Sequence, residues 1–116
     1  MGTGAVNPSR QELLQQIVRR IVAEVDPEQI VLFGSWARDE EGPDSDVDLL
    51  VVEPDGFGPN RSRRAELTRV WNALSSIALP VDVLVFSRDE VERWRGGINH
   101  VIARAFREGK ILYDRR

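Results

Sequence analysis

An α/β (α+β) fold, with a mixed sheet of three to four strands flanked by helices, is what this 116-residue sequence predicts. Three observations carry that expectation. Apolar residues recur at helical spacing through residues 13–25. Two apolar runs, residues 30–33 and 47–52, flank a polar stretch that begins Gly34-Ser35. A third run, residues 81–86, follows an intervening amphipathic segment, which predicts a parallel strand pair joined by a right-handed crossover.

Residues 1–8 contain Gly, Thr, Asn and Pro and are expected to be loose, leaving 9–116 as one domain. Ser9 and Glu12 form a capping box. Leu13, Leu14, Ile17, Val18, Ile21, Val22 and Val25 then make one apolar helix face. Asp26-Pro27 ends the helix, because the residue before proline is pushed out of the helical region. Residues 29–33 are apolar on both faces, so a central strand is expected. Residues 35–40 could form a short helix whose first N–H groups would point at an anion. Gly42-Pro43-Asp44-Ser45 is turn chemistry, and a second strand runs over 46–53 to Pro54. Residues 55–60 read as a flexible loop. Leu67, Val70, Trp71, Leu74 and Ile77 mark the next helix, ending near Pro80. The strand 81–86 follows, with Asp82 inside it. Ser87 and Glu90 open a short helix with Val91 and Trp94 expected inward, and Gly96-Gly97 breaks it. Ile98, Val101, Ile102, Ala105 and Phe106 define the last helix, with Gly109 as its cap. Residues 111–113 suit a short edge strand.

The net charge of −3 excludes a broadly basic nucleic-acid binder. The charge is unevenly placed. Asp39, Glu40, Glu41, Asp44, Asp46, Asp48, Glu53 and Asp55 face one base, Arg38, within residues 36–55, whereas Arg61, Arg63, Arg64 and Arg69 crowd residues 61–69. The arginines read as a solvated helix start that could also receive an anionic partner. No apolar run approaches the ~20 residues of a membrane span, and the N-terminus lacks a signal pattern. With no cysteine, a reducing cytosol suits the chain. His100 has no matching ligand spacing and reads as structural.

Asp46 and Asp48 are two apart at the start of a strand, so both point to one face. Aspartate is depleted in strands and rarely buried unless paired or metal-bound. Ser35 ends one strand where Asp46 begins the next, so these strands must be antiparallel for the two to meet. The parallel crossover then brings Asp82 to the same edge. Three carboxylates beside a Gly-Ser turn suit one or two Mg²⁺ ions and phosphoryl or nucleotidyl transfer. The third carboxylate could also accept the attacking hydroxyl's proton.

Gly34-Ser35, ten residues, Asp46-Val47-Asp48 and then Asp82 resemble the minimal nucleotidyltransferase (MNT) family of the DNA polymerase beta-like superfamily, over residues 9–113. The resemblance implies Mg²⁺-dependent transfer of a nucleoside monophosphate, usually AMP from ATP, to a hydroxyl. It implies that Asp46 and Asp48 bind metal, and that Asp82 is a metal ligand or base. Gly34 and Ser35 would hold the β- and γ-phosphates with help from Arg38. Small members are often antitoxins of HEPN-domain toxins, and some add AMP to a toxin tyrosine. A HEPN-type helical partner is therefore expected, with no nucleic-acid template. The alternative is a non-catalytic antitoxin with the same fold. Trp36 stands where a basic or polar residue is common in the family, and Asp39 where glycine is common. Trp36 is expected to cover the nucleotide pocket or face a partner.

Overall fold

The computed structural model describes residues 9–42 and 44–116; the expected loose segment 1–8 and Pro43 of the expected turn lie outside them. The elements run α1 (Arg10–Val25), β1 (Gln29–Phe33), β2 (Val47–Glu53), α2 (Arg63–Ala73), β3 (Val81–Ser87), α3 (Arg88–Trp94), α4 (Val101–Glu108) and β4 (Lys110–Asp114). Among the described residues the four strands form one sheet in the order β3-β2-β1-β4. β1 is antiparallel to β2 and to β4, and β2 is parallel to β3. The mixed sheet and central β1 follow the expected pattern.

Side-chain alternation divides the sheet into two apolar faces. Ile30, Leu32, Leu49, Val51, Val83 and Val85 pack with Leu14, Ile17 and Ile21 of α1 and Val70 of α2. Val31, Leu50 and Val52 pack with Val91 of α3 and Ile102 and Ala105 of α4. Both cap predictions for α1 and α3 hold: Ser9 and Ser87 each make the reciprocal pair, with Glu12 and Glu90. Fully burying each of Leu14, Ile17 and Ile21 stabilises by roughly 1.5–3 kcal/mol, which fixes α1 on the sheet.

Several expectations are corrected. Residues 35–39 form a turn rather than a helix, closed by Ala37 N to Gly34 O (3.1 Å) and Arg38 N to Ser35 O (3.1 Å). Asp46 precedes β2, which starts at Val47. Trp71 and Trp94 are exposed, not inward. On α2 the buried positions are Glu66 and Val70, with Leu74 just beyond, so Trp71 falls to the flank. Only Val91 of the short α3 is buried; Trp94 stacks instead on His100, with ring centroids 4.8 Å apart. Ile98 is outside α4, which begins after His100, whose Nδ1 accepts from Ile102 N at 3.1 Å. Gly109 is the expected cap for a different reason. Its φ is −93°, and a side chain there would strike the carbonyls of Ala105 and Leu32, so glycine lets α4 close onto β1.

The arginine cluster is partly consumed inside the fold. Arg61 pairs with the fully buried Glu53 and lies 3.5 Å from Glu66, while Arg63 pairs with Glu90. Burial, then the hydrogen bond and charge of Glu66, push the Glu53 carboxyl up to about 7; Arg61 opposes them. Its ordinary value is 4.5, so between 4.5 and 7 the folded chain binds more protons here than the unfolded chain. Stability from this group is full at the lower end and declines as pH rises through the window. Glu53→Gln is expected to remove that slope and to stabilise the chain by roughly 1–3 kcal/mol at pH 8. Calorimetric melting of both proteins between pH 5 and 8 checks it; parallel pH profiles would contradict it.

Candidate active site

The site lies where β1 ends and β2 begins, on the sheet face covered by α4. Phe33 is opposite Asp48 in the β1–β2 register, and Asp48 is opposite Asp82 in the β2–β3 register. Asp48 has the same parity as Leu50 and Val52, and Asp82 the same as Leu84 and Phe86, which pack on the α3–α4 side. The antiparallel and parallel pairings thus bring Asp48 and Asp82 to one edge.

Gly34 and Asp48 are built around each other. Gly34 has φ 74°, a conformation that favours glycine. A Cβ on Gly34 would overlap Oδ2 of Asp48 and lie 3.1 Å from its Cγ. The Asp48 carboxylate therefore occupies the space a side chain at residue 34 would need. A cleft of about 270 Å³ opens beside them, lined by Gly34, Ser35, Arg38 and Asp48 from the predicted set. Asp46 and Asp82 are outside that lining. They interact with each other: partial loss of water, then a hydrogen bond and the charge of Asp46, raise the Asp82 carboxyl. Asp48 is raised too, by burial first, then by Asp82 and Asp46, against the opposing charge of Arg38. Arg38 is exposed and donates to Glu40 at 2.8 Å, which raises its guanidinium further.

Trp36 neither covers the cleft nor presents a free face. It is buried in the α1–α2 core, its Nε1 donates to Ser45 O at 3.4 Å, and Arg10 lies over its ring at 5.1 Å. It anchors the turn that carries Gly34 and Ser35. Asp39 takes a left-handed conformation, φ 57°, as glycine would, which aspartate tolerates better than most residues. Its carboxylate is drawn to Arg10 at 3.2 Å and Lys110 at 3.6 Å. Both departures from the family pattern thus serve the turn's geometry.

Sequence reasoning missed Val101, Arg104 and Glu108, which line the cleft from α4. Their i, i+3, i+7 spacing was readable as one stripe, but not which partner the stripe would face.

Among the described residues, no group of three His, Cys, Asp or Glu side chains stands together as a metal site. The donor chemistry nevertheless fits a hard divalent cation. Asp46, Asp48 and Asp82 supply only carboxylate oxygens, and Asp48 and Asp82 are raised by burial first and then by the neighbouring carboxylates.

A mixed sheet thus carries a Gly-Ser turn against the strand-borne Asp48 and Asp82. The sequence profile described as nucleotidyltransferase domain matches residues 14–90, and the chain belongs to that family. It is by that membership a nucleotidyltransferase. No curated protein matches the chain. The solved structures that share its fold include the following three. A toxin–antitoxin complex with AMP-PNP gives TM-score 0.57 at 20% identity, covering 88% of this chain and 73% of that one. A tri-AMPylated Shewanella oneidensis HEPN toxin in complex with MNT antitoxin gives 0.54 at 19%, covering 92% and 74%. A nucleotidyltransferase candidate from Sulfolobus solfataricus gives 0.52 at 20%, covering 96% and 94%.

Proposed function

We propose that this protein transfers AMP from ATP, in a Mg²⁺-dependent reaction, to a hydroxyl of a HEPN-type helical protein that it restrains as an antitoxin. The observation that carries the reading is the interlock of Gly34 and Asp48. A backbone turn held open by glycine and a carboxylate beneath it face one cleft. Gly34 and Ser35 bind the phosphates through backbone and hydroxyl, and Arg38 adds positive charge. Asp46, Asp48 and Asp82 would hold the cation, which would neutralise charge on the triphosphate and on the leaving oxygen. Asp82 serves in our reading as a further metal ligand or as the base that accepts the proton of the acceptor hydroxyl. The likeness of the chain to toxin–antitoxin complexes, one of them with a HEPN toxin, supports the choice of partner. No helix of the described residues is long and apolar enough to cross a membrane, and we place the reaction in the cytoplasm, without a nucleic-acid template.

Incubation with ATP labelled at the α-phosphate, Mg²⁺ and a co-expressed HEPN-type partner is expected to label the partner. Neutralisation of the partner without label would favour stoichiometric capture and overturn the enzymatic reading.

A further inference from the structure

We propose that Arg104 is a phosphate-binding residue of this cleft, holding the β/γ end of the nucleoside triphosphate; the assignment rests on the nucleotidyl-transfer reading above. α4 cannot rotate freely on the sheet. Ile102, Ala103 and Ala105 are buried, and Gly109 brings the helix end against the carbonyl of Leu32. That packing turns Val101, Arg104 and Glu108 toward Gly34, Ser35 and Asp48.

Charge then separates the two cleft arginines. Arg38 is engaged by Glu40 at 2.8 Å, whereas Arg104 makes no ion pair among the described residues. Glu108, one turn along, is near Arg107 at 4.0 Å. Its charge disfavours an anion at its own position, so the phosphates are directed to the turn side of the cleft, where Arg104 and the Gly34-Ser35 backbone converge. A guanidinium offers five donors in a planar fork suited to phosphate oxygens, and its net strength grows when no carboxylate competes for it. Its place on a packed helix, rather than on the turn, lets it act as a fixed counterpart to the flexible end of the ligand.

The test is titration calorimetry with Mg²⁺ present, using a non-hydrolysable ATP analogue and AMP. Arg104→Ala is expected to weaken the ATP analogue about 10- to 100-fold and to leave AMP within about twofold. Arg104→Lys is expected to recover part of the loss, because it restores the charge without the fork. Arg104 is exposed, so folding should survive; Arg104→Gln serves if the alanine variant melts early. Wild-type binding with an unchanged Arg104→Ala variant overturns this assignment alone. Equal losses for AMP and the ATP analogue also overturn it, since the contact would then not be to the terminal phosphates. A wild-type protein that binds neither ligand overturns the nucleotidyl-transfer reading and this assignment with it.

Discussion

Asp48→Asn is expected to lower nucleotidyl transfer about 100- to 1000-fold, a loss of the size seen when one preorganised charge-stabilising group is removed, while making the folded chain more stable. The two effects have one origin. Asp48 is partly withdrawn from water and shares its surroundings with Asp82 and Asp46, so its charged form is disfavoured in the fold. A neutral amide of the same shape relieves that repulsion, so the melting temperature at pH 7–8 is expected to rise. It also removes an anionic oxygen donor that would hold a hard divalent cation. The sign follows from linkage: a carboxyl raised above its ordinary value opposes folding once it is ionised, so the gain should shrink toward acid pH. Labelled-ATP transfer and calorimetric melting at pH 5 and pH 8 measure both halves. Transfer within tenfold of wild type would remove Asp48 from the chemistry. A lower melting temperature would mean that its contacts stabilise the fold more than its charge opposes it.

Gly34→Ala should damage both stability and activity. An alanine forced to φ 74° carries backbone strain, and its Cβ cannot coexist with Oδ2 of Asp48 where it now sits. Strain and overlap together are expected to cost about 1–3 kcal/mol. The carboxylate must swing away, and transfer is expected to fall at least about 100-fold, as misplacement of a reacting group by an ångström can do. The double variant Gly34→Ala with Asp48→Ala separates the causes. The overlap is then gone and only the backbone strain of about 1 kcal/mol should remain. Strict additivity of the two stability changes would show that residues 34 and 48 do not compete for space.

The strands and helices were readable because their periods differ. Residues 13–25 repeat every three to four positions, whereas residues 30–33, 47–52 and 81–86 are short apolar runs bounded by Gly, Pro and Asp. The capping boxes at Ser9 and Ser87 were readable because their hydrogen bonds close within four residues. The tryptophans were misread where periodicity had no partner to refer to. Trp71 sits at helical spacing from Leu67 and Leu74, yet the face that meets the sheet is centred on Val70. Trp36 has no periodic neighbours, and its burial follows from the turn folding back beneath α1. Glu53 looked like one more member of an acidic stretch; its burial depends on Arg61 and Glu66, which follow it across a loop.

What could be settled from the order of residues is local. Dihedral preference, helix and strand period, and hydrogen bonds that close within a turn act between near neighbours, so they placed the elements and the Gly34-Ser35 turn. What required the assembled chain is every pairing between distant segments: Asp48 filling the space of a missing side chain at Gly34, Asp48 set opposite Asp82 by strand register, and Arg104 turned into the cleft. Those depend on strand register and on the rotation of α4, which are set by many small packing contacts acting together. No single stretch of sequence carries enough of that energy to announce the outcome.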